Sequence, residues 1–206
     1  DELHYDDGLV YFSIYGSVFY TEDGETWGGF YLGEEAFGVK YLNGRFIYYS
    51  RTDGKVHTHS LTTELTESAT QFSDELYSAS FFYINGQYIF STPEFAIYIS
   101  DDAVNWTQVY SGSSSGSYGV IHTMFYVDNK YVYNRRDIYG RYDVYTSNDL
   151  TEHQLRLTSY SSIMGYNGSY LITKPNASYG SLIRSADGEV WETAGYFSNA
   201  TSIFSV

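Results

Sequence analysis

The chain has 206 residues, no cysteine and a formal charge of −14 at pH 7, so disulfides, thiolate nucleophiles and cysteine-bound metals are excluded together. That charge repels phosphate backbones and anionic lipid heads, which argues against nucleic acid and membrane surfaces as partners. Aromatic residues make up 20%, with 25 Tyr, 13 Phe, 19 Gly and 2 Pro, a mixture that suits short strands and tight turns.

Membrane insertion is also excluded by pattern, since no run approaches the roughly 18 apolar residues of a spanning helix. The length suits one core, so a single all-β domain over 1–206 is expected. The sequence opens on Asp1 rather than Met, which reads as a processed product or a segment excised from something longer. Nothing in it asks for a cofactor.

In chain order, two phrases alternate. Residues 1–34 hold the hairpin phrase "YDDGLVYF" and then "TEDGETW", Thr21–Trp27. Residues 35–77 hold "YLNGRFIYY", an ordinary turn at Thr52-Asp53-Gly54, and a decayed copy of the second phrase from Ser60. Residues 78–117 hold "YINGQYIF", the alternating strand "FAIYIS" and "SDDAVNW", in which Ala103 replaces Gly. Residues 118–159 hold "YVDNKYVY", "RYDVYTSND" and "SNDLTEH", which keeps Ser147 and Asp149 but has Leu150 and His153 in place of Gly and Trp. Residues 160–200 hold "YNGSYLIT" and "SADGEVW", Ser185–Trp191.

Both phrases keep one period. The hairpin residues Gly8, Gly44, Gly86, Asn129 and Gly168 are 36, 42, 43 and 39 apart; the first positions of the second phrase, 21, 60, 100, 147 and 185, are 39, 40, 47 and 38 apart. Asn-Gly or Asp-Gly between alternating apolar residues predicts a type I′ hairpin. A repeat of about forty residues with four short strands (A to D) is the pattern of a β-propeller blade. The expectation is therefore a five-bladed β-propeller of four-stranded antiparallel blades. "TSIFSV", 201–206, resembles "SSIMGY" at 161–166 and reads as a closing strand, or as a linking strand through which molecules self-associate.

The pattern Ser/Thr-x-Asp-Gly-x-x-Trp resembles the Asp-box, or BNR, repeat of sialidase-like β-propellers, across the whole chain. The resemblance places the boxes in C–D turns on the outer rim, as structural turns: Thr21, Asp23, Gly24 and Trp27; Ser100, Asp102 and Trp106; Ser147 and Asp149; Ser185, Asp187, Gly188 and Trp191. The hydroxyl and carboxylate close the loop on its own backbone and the Trp covers it. The alternative is that Asp23, Asp102 and Asp187 bind calcium or act as acids. Sialidase activity is not implied, because the Arg-Ile-Pro phrase and the arginine triad are absent.

The opposite end, with the B–C and D–A loops, carries the candidate ligand contacts Tyr15, Arg51, Tyr118, Arg135, Arg136, Tyr139, Arg141, Tyr142, Tyr160 and Tyr179. Aromatic faces beside forked guanidinium groups suit a glycan or another surface ligand, and loop cations can receive carboxylate or sulfate. A non-catalytic extracellular or virion-associated binding or scaffold module is expected. The rivals are a structural block of a filament or virus tail appendage, and a small glycoside hydrolase using a pair from Glu34, Glu35, Asp53, Glu94 and Asp137. His57 and His59 share one strand face but show no third ligand nearby in sequence, so no metal site is expected. Asn105, Asn167, Asn176 and Asn199 stand in glycosylation sequons.

Overall fold

The computed structural model describes residues 3–61, 65–72, 76, 78–112, 119–136, 140–160, 165–173 and 179–198. Alternating apolar residues between glycine-rich turns fold into strands throughout. The first sheet is β1 (His4–Asp6), β2 (Leu9–Ile14), β3 (Ser17–Thr21) and β4 (Gly28–Tyr31). The second is β5 (Ala36–Leu42), β6 (Arg45–Ser50), β7 (Lys55–Ser60) and β8 (Leu65–Gln71). The third is β9 (Ser80–Ile84), β10 (Gln87–Ser91), β11 (Ile97–Ser100) and β12 (Thr107–Tyr110). The fourth is β13 (Ile121–Val127), β14 (Lys130–Arg136), β15 (Tyr142–Ser147) and β16 (Gln154–Tyr160). The fifth is β17 (Gly165–Tyr166), β18 (Leu171–Thr173), β19 (Tyr179–Ser185) and β20 (Glu192–Ser198). In each sheet the four strands are antiparallel and stand in chain order.

The first turns of four sheets are two-residue loops with both residues left-handed: Asp7 and Gly8 at φ 51 and 82°, Asn43 and Gly44 at 50 and 77°, Asn85 and Gly86 at 53 and 80°, Asp128 and Asn129 at 49 and 60°. This is the type I′ geometry, whose twist matches that of the strands it joins. The fifth differs. Asn167 Oδ1 accepts the backbone N–H groups of Ser169 and Tyr170 at 3.0 and 2.8 Å, which makes a wider, side-chain-closed turn.

The expectation of a five-bladed propeller, a ring of five blades closed on itself, is corrected. Each sheet is completed by four consecutive strands, and among the described residues none borrows a strand from elsewhere in the chain, the latch that joins first and last blades of a ring. Residues 201–206, the expected closing strand, lie outside the described residues.

The chain divides into two compact units, Asp1–Ser91 with Tyr98–Gln108, and Thr92–Ile97 with Val109–Val206. In the first, Phe46 meets Tyr41, Phe30 and Tyr11 at ring distances of 4.9, 5.2 and 5.3 Å, and Phe90 meets Phe81, Phe72 and Trp106 at 4.8, 5.0 and 6.0 Å. Burying each such ring contributes about 1.5–3 kcal/mol. The second unit has an aliphatic cluster of Val127, Val132, Val144 and Leu171. It also has an aromatic group in which Phe95 and Tyr110 pack on His153 at 5.3 and 4.2 Å.

Candidate functional site

The turns between the third and fourth strands show where the repeated aspartates are spent. Thr21 Oγ1 donates to Asp23 Oδ1 at 3.0 Å, which also accepts the Glu25 and Thr26 N–H groups at 2.8 and 2.7 Å; Gly24 N–H donates to Thr21 Oγ1 at 2.9 Å. Asp102 accepts Ser100 Oγ at 3.0 Å and the Val104 and Asn105 N–H groups at 2.8 Å each. Asp187 accepts Ser185 Oγ, Glu189 N–H and Val190 N–H at 3.0, 2.8 and 3.1 Å. The weaker copy keeps the design, with Asp149 accepting Thr151 N–H at 2.9 Å and Leu150 N–H donating to Ser147 Oγ at 2.8 Å. Leu150 and Ala103 hold the glycine position at φ 66 and 62°.

Hydrogen bonds that favour the ionised form pull these carboxylates down. The N–H groups of Thr26 and Glu25 and the Thr21 hydroxyl bring Asp23 to about 2. The backbone and side-chain amides of Asn105 carry Asp102 lower, and the Thr151 N–H and hydroxyl lower Asp149. At Asp187 burial pushes upward, but the bonds from Val190, Glu189 and Ser185 outweigh it and the value falls. A group ionised this firmly has no proton to give near neutrality. The tryptophans differ: Trp106 and Trp191 donate Nε1–H to the carbonyls of Ala103 and Gly188, each at 3.0 Å, while Trp27 lies 46% exposed with its ring 5.7 Å from Phe12.

The expected ligand contacts fall into three groups. Tyr15 and Gly16 form the β2–β3 turn at φ 46 and 73°, and the Tyr15 side chain is 89% exposed. Arg51 approaches Glu35 at 3.8 Å in the same unit. In the second unit Arg136, exposed, stands across from Tyr142 with its guanidinium 6.0 Å from that ring, and His122 packs edge-to-face on the Tyr142 ring with centroids 5.4 Å apart. Arg141 is exposed beside them. Arg135 turns inward, 4.4 Å over Phe95 and donating to the Gly119 carbonyl at 3.3 Å, so it is spent on packing. Tyr118 and Tyr139 lie outside the described residues, and Tyr160 and Tyr179 are placed by backbone only, in β16 and β19. Of the sequon asparagines, Asn105 donates Nδ2–H to Asp102 Oδ2 at 2.8 Å and Asn167 closes its turn; Asn176 and Asn199 are outside the described residues.

One constellation is not visible in the sequence. On the β6–β7 turn and the two following strands, Asp53, His57 and Glu67 each bring a ligand atom to within 4.8 Å of the others. His57 Nε2 lies 2.9 Å from Asp53 Oδ2, and Glu67 pairs with Lys55 Nζ at 2.8 Å. Burial raises the Asp53 carboxyl, but the bond and charge of His57 outweigh it and the value falls. The i, i+4 spacing of Asp53 and His57 is readable; Glu67 enters only because β7 and β8 pair His57 with it.

No protein-family profile matches the sequence, and no curated protein matches it. Solved structures do. A streptogramin B lyase superposes with TM-score 0.68 at 13% identity, over 96% of this chain and 67% of that one. A catalytically inactive virginiamycin B lyase from Staphylococcus aureus, with quinupristin, gives 0.67 at 11%, over 93% and 68%. At such identities the likeness shows fold alone: this chain is an all-β protein of the propeller type. This chain, with its five four-stranded sheets, spans about two-thirds of the length of the lyases it superposes on.

Proposed function

We propose that this chain is a non-catalytic recognition module of the Asp-box type, working outside the cell or on a virion. It binds glycan or another surface ligand through the loop end opposite the boxed turns. The observation that carries this reading is Tyr15. A bulky residue held at φ 46° costs about 1 kcal/mol or more, and a ring 89% exposed recovers none of that through packing. Such an arrangement makes sense where the ring stacks on a ligand, and apolar sugar faces stack on Tyr. Arg136 with Tyr142 offers a second platform, with guanidinium donors for carboxylate or sulfate. The lyase activity named for the solved structures belongs to those proteins.

A glycan array probed with wild type, Tyr15→Ala and Arg136→Ala tests this. Saturable binding weakened at least about tenfold in one of the variants is the expected result. Turnover of an oligosaccharide, or silence across the array, contradicts it.

A further inference from the structure

We infer that Asp53, His57 and Glu67 form a binding site for one divalent transition ion of the zinc class. The three donors come from three places whose geometry is already set. His57 is 5% exposed and its ring lies flat against buried Tyr48, with centroids 5.2 Å apart and planes at 15°. Its Nδ1 is buried without a hydrogen-bond partner, so Nε2 is the ring atom that meets the carboxylates. Asp53 is fixed by its own turn: Gln71 Nε2–H donates to its carbonyl at 2.5 Å, Lys55 N–H to its Oδ1 at 3.2 Å, and the Phe72 N–H closes on Gly54 at 2.7 Å. Glu67 stands opposite His57 across the β7–β8 ladder. The ordering cost of assembling a metal site is therefore mostly met by the sheet itself.

The donor set selects the ion. One imidazole with two carboxylates suits zinc, cobalt, nickel or manganese; calcium and magnesium prefer all-oxygen shells with more ligands. Three protein donors leave a coordination position toward solvent, where the carboxylates of Asp53 and Glu67 are half-exposed. In the metal-free state Lys55 Nζ lies 2.8 Å from Glu67 and His57 Nε2 lies 2.9 Å from Asp53. The ion replaces the Nε2 contact to Asp53 and competes with Lys55 for Glu67, and the Nε2-bound imidazole keeps its one ring proton on Nδ1.

Calorimetric titration of the full chain with Zn2+ at neutral pH tests the site. One ion per chain is expected, with Asp53→Asn and Glu67→Gln each weakening binding at least about tenfold, and Lys55→Met strengthening it severalfold. Glu67→Gln changes an exposed side chain, so its fold is retained, and circular dichroism checks this for each variant. Calcium is expected to bind at least about a hundredfold more weakly than zinc. Absence of saturable Zn2+ binding, affinity unchanged in Asp53→Asn and Glu67→Gln, or equal affinity for calcium overturns the assignment.

Discussion

At the scale of single residues, stability and the proposed recognition draw on different side chains. Tyr15→Asn keeps the turn and places there a residue that tolerates left-handed backbone. It should raise stability by about 0.5–1 kcal/mol in urea unfolding while lowering ligand affinity. A destabilised variant would show that the Tyr15 ring packs after all. The box aspartates behave in the opposite sense. Asp102→Ala removes the acceptor of Val104, Asn105 and Ser100 and should cost about 1–2 kcal/mol, at the lower end because the turn is exposed. The acid dependence has a definite sign. Asp23, Asp102, Asp149 and Asp187 all lie below the ordinary carboxylate value of about 3.9, so their contribution is complete above that pH. It is lost as pH falls through the folded values, which for Asp23 is about 2. Urea midpoints should decline steadily from about pH 4 downward, less steeply in Asp102→Ala.

At the scale of elements, equivalent turns are not equally demanding. Gly24 and Gly188 occupy the same box position at φ 77°, but a Cβ on Gly24 meets nothing within 4 Å while one on Gly188 lands 2.5 Å from Val132 Cγ2. Gly24→Ala should therefore cost about 1 kcal/mol from backbone alone, and Gly188→Ala distinctly more, measured as paired unfolding midpoints. Turn chemistry is the part of the fold most legible in sequence. Asp7-Gly8, Asn43-Gly44, Asn85-Gly86 and Asp128-Asn129 announce their hairpins because few residue pairs accept two positive φ values. Asn167 is harder to read, since the same Asn-Gly pair can instead cap a wider loop with its side chain. Glu67 is harder still: its approach to His57 depends on the β7–β8 register, which shifts between Lys55 and His57 and leaves no mark in local spacing. Arg135 and Arg136, adjacent in sequence, separate into a packing residue and a surface one because successive side chains on a strand point to opposite faces.

At the scale of the whole chain, a repeat predicts its units far better than their closure. Each sheet is a local object of about forty residues, whereas a ring needs a latch between distant segments, and period alone carries no information about that. Under the proposed function the two ends of a repeated sheet do different work: hydroxyl and carboxylate turns hold strands together at one, and Tyr15, Arg136 and Tyr142 meet a ligand at the other. The most direct test is one glycan array carried out with wild type, Asp102→Ala and Tyr142→Ala, all folded at the assay temperature. Wild type and Asp102→Ala should bind the same glycan with affinities within about threefold, and Tyr142→Ala should lose about tenfold or more. Binding lost in Asp102→Ala and kept in Tyr142→Ala would place recognition at the boxed turns and contradict the account.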